Sequence, residues 1–307
     1  MKGRVIKSTG SWYQVRTETQ VLAARLKGKF KQEDLKLTNP IAVGDWVELG
    51  LEQGQETALI TEILPRENYV IRKSTRKQQH THILASNLDQ ALLVITVKNP
   101  RTSLGFIDRF LVATESYGIP TSLVINKIDQ IKREEEVAWV KEIQSIYPAL
   151  GYPVIVLSAL HAPEVQAKLL PLIQGKSNLI SGHSGVGKST LLNALVSHAK
   201  QQTQEISAFS AKGVHTTTFA ELFYLPESGD IIDTPGIKEF GILNVEKEEL
   251  SHFFPEMRAL LGQCRYHNCT HINEPGCRVL KSLEEGLIPA QRYQSYVNIL
   301  HEEDSHR

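Results

Sequence analysis

A glycine-rich string between an apolar run and a helical pattern constrains the fold of this 307-residue chain more than any other feature. Residues 178–180 predict a buried strand, and a helix is predicted from residue 190. The string between them fits the P-loop pattern, in which glycines turn backbone N–H groups toward phosphate oxygens at a helix N-terminus. Its residues are Ser181, Gly182, His183, Ser184, Gly185, Val186, Gly187, Lys188 and Ser189.

Two side chains of this loop carry the expected phosphate chemistry. Lys188 is predicted to reach the β and γ phosphates of a nucleotide, and the Ser189 hydroxyl to ligate Mg²⁺. Downstream, a predicted strand at residues 229–232 leads into an Asp-x-x-Gly string that begins at Asp233. Asp233 is predicted to hold the Mg²⁺ shell through water, and the N–H of Gly236 to contact the γ-phosphate.

A second polar string indicates which base is bound. It follows the apolar run at residues 122–125 and reads Asn126, Lys127, Ile128, Asp129. The Asp129 carboxylate can accept hydrogen bonds from N1–H and the 2-amino group of guanine, and adenine offers neither donor. Lys127 is expected to lie along the base, and Asn126 to tie this loop to the P-loop.

Two further segments complete the predicted nucleotide site. Ser158 and Ala159 end the next predicted strand and fit a backbone contact to the guanine carbonyl. Residues 213–218 read Gly-Val-His-Thr-Thr-Thr, and a hydroxyl here is expected to complete Mg²⁺ coordination when triphosphate is bound. Thr217 is the favoured ligand, while Thr216 and Thr218 stay open as alternatives.

The order of these strings is reversed relative to an ordinary GTPase, because the base-reading half comes first. Only 71 residues follow Gly236, and they contain no second guanine-specific string. A circular permutation changes the connections and can leave the pocket unchanged. From residue 88, apolar runs alternate with helical patterns, which predicts a parallel sheet with helices on both faces. The fold class is therefore multidomain α/β with a central circularly permuted P-loop GTPase domain.

A small β-domain is predicted before this sheet. Short β-branched runs separated by turn signals predict an OB-type barrel with strands at residues 3–8, 12–17, 20–26, 45–49 and 57–63. Residues 1–80 carry 14 Lys/Arg and 9 Asp/Glu, an excess that suits a polyanion such as RNA, with a solvated basic face as the alternative. The bunched cations are Arg72, Lys73, Arg76 and Lys77.

A third, mainly helical unit is predicted after residue 243. All three cysteines lie between Cys264 and Cys277, and three thiols cannot pair completely. With His267 or His271 they supply the donor set that suits tetrahedral Zn²⁺, and four protein ligands leave no open position, so the site is structural. The thiolates are those of Cys264, Cys269 and Cys277. An amphipathic segment near residues 283–301 is expected to pack through Leu283, Leu287, Tyr293, Val297 and Leu300.

These strings and their order resemble the RsgA family of bacterial, circularly permuted GTPases that depend on the small ribosomal subunit. The resemblance covers essentially the whole chain: a 1–72 OB-fold RNA-binding domain, a 73–243 GTPase domain and a 244–307 zinc-binding helical domain. It implies binding of GTP and GDP, 30S-stimulated GTP hydrolysis, contact with 16S rRNA and a role in late small-subunit maturation. It also implies that His271, rather than His267, is the zinc ligand.

The resemblance further bears on catalysis. Ile237 stands where many GTPases have a water-orienting Gln, so another group must orient water. The resemblance implies His215 for this role. Val214 departs from the Arg that the family more often has at this position, which leaves no role for that side chain.

Location and rival functions follow from the same sequence. No run approaches the roughly 18 apolar residues of a membrane span, and the polar start lacks the core of a signal peptide, so we expect a cytoplasmic location without membrane contact. We also expect the chain to be a monomer. The main alternative is a nucleotide-gated rRNA-binding module with negligible turnover. An ATPase conflicts with Asp129, and a scaffold with a dead pocket conflicts with Lys188 and Asp233.

Overall fold

The N-terminal strands close into a small barrel, as the sequence predicts. The computed structural model describes residues 1–27, 40–51, 57–73, 81–202, 220–225, 229–234 and 245–302. The barrel strands are β1 (Lys2–Ser8), β2 (Tyr13–Arg16), β3 (Val21–Leu26), β4 (Trp46–Leu51) and β5 (Thr57–Ile63). They pair in the order β1-β2-β3-β5-β4, and β4 returns to β1. Alternate side chains point inward, so that Val5, Val15, Val47 and Ile60 form a buried core.

A hairpin that the sequence does not predict links the barrel to the next domain. Its strands are β6 (Tyr69–Lys73) and β7 (Thr81–Ser86), which pair antiparallel from Tyr69 opposite Ser86. Polar and basic residues within and between these strands obscure the alternation of apolar and polar residues that normally indicates a strand. Of the bunched cations, Arg76 and Lys77 lie outside the described residues, as do the side chains of Arg72 and Lys73.

The central sheet is parallel except at one edge. Its strands are β8 (Gln90–Thr96), β9 (Thr121–Asn126), β10 (Val154–Val156), β11 (Ser177–Ser181), β12 (Glu221–Leu225) and β13 (Gly229–Asp233), in the order β10-β9-β8-β11-β13-β12. The β12 strand runs antiparallel to β13. Only three residues separate these two strands in the chain, and so short a link allows a hairpin but no crossover.

Helices cover both faces of this sheet, as the sequence predicts. They are α1 (Leu104–Ser116), α2 (Glu134–Ala149), α3 (Ala162–Ile173) and α4 (Lys188–Gln202). Leu93 and Ile95 of β8 share a core with α1 and α2, whereas Leu92 and Val94 share a core with α3 and α4. Because both sets are buried, the strand reads as a continuous apolar run instead of an alternating one.

A buried arginine fixes the barrel against the GTPase sheet. Arg4 of β1 forms an ion pair of 2.6 Å with Asp230 of β13 and donates to Ser177 Oγ at 2.6 Å. It also donates to the carbonyl oxygens of Gly44 and Asn87. The guanidinium therefore finds hydrogen-bond acceptors in both domains at once. Because these bonds have a fixed geometry, they orient the barrel relative to the sheet.

The C-terminal tail is helical, and its expected single segment is divided. After a 3₁₀ helix at Lys247–Phe253 come α5 (Pro255–Arg258), α6 (Arg278–Glu284) and α7 (Ala290–Glu302). Gly286, with φ of +71°, and Pro289 separate α6 from α7. The break exposes Leu287 to 66%, so its predicted place in the packed stripe is wrong, and Ile288 is buried instead. No helix in the described ranges is long and apolar enough to span a bilayer.

A buried ion-pair network docks α7 onto the GTPase domain. Arg292 is 1% exposed and contacts Asp108 of α1 at 2.6 Å and Glu256 at 2.7 Å. Tyr147 of α2 donates its hydroxyl hydrogen to the same Asp108 oxygen at 2.7 Å. Since an unpaired charge is costly away from water, each partner depends on the others.

Replacing Arg292 by Ala should therefore destabilise the protein strongly. We expect the free energy of unfolding to fall by about 3–5 kcal/mol, because two buried carboxylates lose their cation. Arg278→Ala, which breaks the exposed pair with Glu285, is the matched control and should cost less than about 1 kcal/mol. Urea unfolding followed by circular dichroism measures both, and equal losses would contradict the assignment.

Candidate nucleotide site and metal centre

The predicted nucleotide-binding strings meet at one edge of the sheet. Strands β8, β9, β11 and β13 run parallel, so their carboxyl ends lie together. The P-loop follows β11, the Asn126–Asp129 string begins at the end of β9, and Asp233 ends β13. In open α/β sheets this edge is where ligands bind.

Glycines in the P-loop are required by close backbone approaches. Gly182 has φ of +144°, and a Cβ atom on it would lie 2.3 Å from the carbonyl oxygen of Val94. Gly187 has φ of +101°, and a Cβ atom there would lie 2.3 Å from Asn126 Nδ2. Any side chain at either position collides with the neighbouring strand end, so the loop can turn here only without one.

The P-loop lysine is folded onto its own loop. Lys188 is 8% exposed, and its ammonium donates to the carbonyl oxygens of Gly182 at 2.8 Å and His183 at 2.9 Å. Burial lowers the pKa of Lys188, and the nearby Asp233 carboxylate opposes this. Asp233 is itself buried and lies opposite Ile180 of β11. One cation and one carboxylate thus flank the start of the P-loop.

Asn126 joins three loops that are far apart in the chain. This side chain is 1% exposed. Its Nδ2 donates to the carbonyl oxygen of Val186 at 2.8 Å, and its Oδ1 accepts from the N–H of Ala159 at 2.8 Å. The tie between the guanine string and the P-loop that the sequence predicts is therefore present, and it extends to the Ser158-Ala159 loop.

The carboxylate of Asp129, which is predicted to select the base, is held by a hydrogen bond from another loop. Asp129 lies in a 3₁₀ turn at Ile128–Gln130 and accepts a hydrogen bond from Ser158 Oγ at 2.5 Å. Lys127, with φ of +61°, extends its ammonium to the carbonyl oxygen of Asn99 at 2.6 Å. The structure thus places Asp129 and Ser158 together, and Lys127 beside the loop that follows β8.

This loop after β8 is a part of the site that sequence reasoning missed. The N–H of Thr96 donates to Thr102 Oγ1 at 3.1 Å, which closes the loop. Phe106, in the first turn of α1, packs against the ring of His183 with centroids 3.8 Å apart. The Asn99-Pro100 turn signal directly after a buried strand, at the same edge as the other strings, could have identified it.

Several predicted site residues lie outside the described part of the chain. These are His215, Thr217 with its neighbours Thr216 and Thr218, Gly236 and Ile237. Ser189 is described and is exposed in the first turn of α4. The Mg²⁺ and catalytic roles of all these residues stay predictions.

A separate cavity of about 510 Å³ opens at the opposite edge of the sheet. Its lining includes Gln90, Thr121, Tyr152 and Lys176, which lie at or just before the amino ends of strands. Nucleotide chemistry in parallel α/β sheets uses the carboxyl ends. The cavity is therefore unrelated to the P-loop site.

The Cys/His residues of the tail converge to one cluster. The ligand atoms of Cys264, Cys269, His271 and Cys277 lie within 4.8 Å of one another. His271 directs Nδ1 toward the Sγ atoms of Cys264 at 3.7 Å and Cys277 at 3.5 Å. His267, which is also described, is not part of this group. Three thiols and one imidazole at this spacing are compatible with a tetrahedral zinc site.

Hydrogen bonds hold the loop that carries these ligands. Glu274 accepts from the N–H and hydroxyl groups of Thr270 at 2.7 and 2.6 Å and from the N–H of Ile272 at 2.9 Å. Burial alone would raise the pKa of Glu274, but these bonds lower it to about 2, so it stays ionised at neutral pH. From α7, Tyr293 donates to the carbonyl oxygen of His271 and Tyr296 to that of Thr270.

The fold and the site define the class of protein. The strands and loops that carry guanine and phosphate strings have the spatial order of a P-loop GTPase, although the base-reading half comes first in the chain. With an N-terminal barrel and a Cys/His-held tail, the chain has the architecture of a multidomain, circularly permuted P-loop GTPase.

Comparisons with known proteins identify the family. The family model described as RsgA GTPase matches residues 63–243, and the model described as RsgA N-terminal domain matches residues 2–60. The chain belongs to the RsgA family of GTPases. A relative from Bacteroides fragilis, named small ribosomal subunit biogenesis GTPase RsgA, is 48% identical over 99% of this chain and 97% of its own length. A relative of the same name from Cytophaga hutchinsonii is 49% identical over the whole of both chains.

Solved structures have the same architecture. The crystal structure of YjeQ from Thermotoga maritima superposes with a TM-score of 0.76 at 33% identity and covers 98% of this chain and 97% of that one. YloQ, described as a circularly permuted GTPase, superposes with a TM-score of 0.75 at 28% identity, over 100% of this chain and 96% of its own. The agreement over full length confirms the predicted fold class.

Replacing Asn126 by Ala should weaken nucleotide binding. The change removes the hydrogen bond to the P-loop at Val186 and the one to the Ser158-Ala159 loop. We expect GDP affinity to fall about 10-fold or more, which corresponds to one or two lost buried hydrogen bonds. Titration with a fluorescent GDP analogue measures this. Asn193→Ala, at an exposed position of α4, is the control. An affinity for GDP that is unchanged in Asn126→Ala would show that the tie is dispensable.

Proposed function

We propose that this protein binds the 30S ribosomal subunit and hydrolyses GTP in a 30S-stimulated manner during late small-subunit maturation, contacting 16S rRNA. The observation that carries the proposal is the joining of P-loop and guanine string through Asn126, in a chain whose full-length relatives are named small ribosomal subunit biogenesis GTPases. The main alternative is a nucleotide-gated rRNA-binding module with negligible turnover.

Each residue of the site has a proposed part in nucleotide binding. Asp129 reads the guanine edge, with Lys127 along the base and the backbone of Ser158-Ala159 at the guanine carbonyl. Lys188 leaves the carbonyl groups it now contacts and binds the β and γ phosphates, a move supported by its burial beside the loop. The remaining proposed contacts are those of Asn126, Ile128, Ser181, Gly182, His183, Ser184, Gly185, Val186, Gly187, Ser189, Asp233 and Gly236.

Two ions belong to this proposal. Mg²⁺ accompanies GTP and is held by Ser189 and Thr217, with Asp233 acting through water. A single Zn²⁺ holds the tail together and is bound by Cys264, Cys269, His271 and Cys277. The convergence of their ligand atoms supports this assignment. Burial raises the pKa of Cys269 to about 12, so a bound cation is what would keep that thiol ionised at neutral pH.

Hydrolysis in this proposal depends on the partner. Ile237 cannot orient water, and His215 is proposed to do so when the 30S subunit orders the site. The isolated protein should therefore turn over slowly. The proposed setting is the cytoplasm, with the chain acting as a monomer, and the proposed domain limits remain 1–72, 73–243 and 244–307.

Phosphate release under multiple turnover tests the proposal. Purified 30S, 50S and 70S particles are compared in parallel, together with cosedimentation. We expect 30S subunits to raise the GTPase rate at least about 10-fold, since correct placement of a catalytic group is worth this much or more in related reactions. A 30S-insensitive, negligible rate with retained 30S binding would favour the gated-module alternative.

Two controls separate the remaining possibilities. His215→Ala should keep nucleotide affinity and lose most of the 30S-stimulated rate. An unchanged rate would remove His215 from the mechanism. Excess ATP should not compete with GTP, because adenine offers no donor pair to Asp129. Competition at equal concentrations would support an ATPase instead.

The zinc assignment makes a prediction that two histidines in one loop can test. Purified protein should contain about one zinc ion per chain by plasma mass spectrometry, because four protein donors complete its coordination. His271→Ala should lose most of this metal during dialysis against a chelator and unfold at a lower temperature. His267→Ala, three residues from Cys264, should retain it. Equal zinc content in the two variants would contradict the ligand set.

A further inference from the structure

A row of aromatic rings and cations, exposed except at Arg4, crosses the border between the barrel and the GTPase sheet. On the outer face of the barrel, Trp46 of β4 lies directly opposite Arg4 of β1, and Arg4 lies opposite Arg16 of β2. Side chains directly opposite one another in antiparallel strands share a face. The three adjacent strands place this row across about 10 Å.

The row continues onto the GTPase domain. The Arg16 guanidinium lies over the ring of Tyr224, in edge strand β12, at 3.7 Å from its centroid. At the other end, the Lys2 ammonium lies 4.7 Å from the centroid of the Trp46 ring. We call Lys2, Trp46, Arg4, Arg16 and Tyr224 the border row.

The rings of the border row are exposed although they are large and partly apolar. Trp46 is 37% exposed and Tyr224 is 46% exposed, and Lys2 and Arg16 are exposed as well. Lys2 and Arg4 both lie against the Trp46 ring, at 4.7 and 5.5 Å from its centroid, so another flat group can meet only the exposed part of the ring. The same holds for Tyr224 beside Arg16. The row therefore offers surface to a binding partner in addition to linking the two domains.

Charge at the border row favours an anionic partner. Asp230 pairs with Arg4 and also faces Arg16, and Glu48, which lies opposite Lys2, pairs with the N-terminal ammonium. The cations Lys2, Arg4, Arg16 and the N-terminus therefore outnumber Asp230 and Glu48. Flat rings beside an excess of cations match a nucleic-acid strand with unpaired bases, because bases stack on rings while phosphates bind cations. A base-paired helix hides its base faces and would not use these rings.

We propose that the border row binds a single-stranded RNA segment, with bases stacked on Trp46 and Tyr224 and phosphates on Lys2 and Arg16. This rests on the proposed function, since it specifies which surface contacts RNA. Because the row includes both barrel and GTPase residues, a bound strand bridges the two domains. The ion pair between Arg4 of the row and Asp230 holds the barrel against the GTPase sheet, and so fixes the positions of the two rings relative to each other.

The test measures binding of a labelled single-stranded RNA of about 12 nucleotides, without self-complementarity, by fluorescence anisotropy with the full chain. Trp46→Leu and Tyr224→Leu should each weaken binding about 5- to 100-fold, since each loses a stacking platform and keeps apolar bulk. Trp46→Phe and Tyr224→Phe keep a ring and should largely retain affinity. Arg16→Gln should lower the salt dependence of binding by about 0.7 in logarithmic slope.

A matched control lies in the tail. Tyr266 is 42% exposed with the Arg265 guanidinium 5.5 Å from its ring centroid, so Tyr266→Leu removes the same chemistry elsewhere. It should leave RNA affinity unchanged. Circular dichroism melts identify any variant that fails to fold, and the Phe variants then decide the outcome alone, because their loss of affinity while folded would contradict stacking.

The outcomes separate this inference from the proposed function. Folded Leu variants at Trp46 and Tyr224 with wild-type affinity would overturn the border row as an RNA site, even if 30S subunits stimulate GTP hydrolysis. Preference for the same sequence as a duplex would also overturn it. Ring-dependent RNA binding without 30S stimulation would support the row and contradict the proposed function.

Discussion

The nucleotide site depends on a single buried amide. Asn126 donates to the carbonyl oxygen of Val186 and accepts from the N–H of Ala159, so one side chain fixes the guanine loop, the P-loop and the Ser-Ala loop relative to each other. A carboxylate there could not donate, and an apolar residue would leave two buried backbone groups unsatisfied. Gly187 must lack a side chain because Asn126 occupies that space. The permuted chain order is tolerated because these hydrogen bonds join the loops in space, whatever the order of the loops along the chain.

Two arginines play a comparable part between domains. Arg4 connects barrel and sheet through Asp230, and Arg292 connects the tail to α1 through Asp108. Both guanidinium groups are largely removed from water, so each needs its carboxylate partner, and a partner far away in sequence fixes the relative orientation of two units. The Cys/His cluster is linked to the docked helix α7, because Tyr293 and Tyr296 of α7 donate hydrogen bonds to the loop that carries His271.

Much of the fold and of the site could be predicted, for identifiable reasons. The barrel strands alternate, and the β8 run from Ala91 to Ile95 is uniformly apolar because both its faces are buried, so their periods are visible in the sequence. The P-loop motif and the guanine motif are each associated with a particular backbone geometry, so their local structure could be predicted. The sequence did not predict the β6–β7 hairpin, because polar and basic residues obscure its alternation, or the Thr96–Thr102 loop, whose only signal is the Asn99-Pro100 turn. The prediction for Leu287 is wrong because this residue lies in the break between α6 and α7, which contains Gly286 and Pro289.

The sequence by itself determined the chemistry: which loop turns its amides outward, which carboxylate suits guanine, and that three thiols with one of two histidines suit Zn²⁺. These properties reside in side-chain type and short spacing, which need no distant partner. Tertiary structure alone decided that Asn126 meets Val186, that His271 rather than His267 joins the cysteines, and that Arg292 lies buried on Asp108. Such choices depend on distances between segments remote in the chain, and these distances exist only after the sheet and the tail have packed.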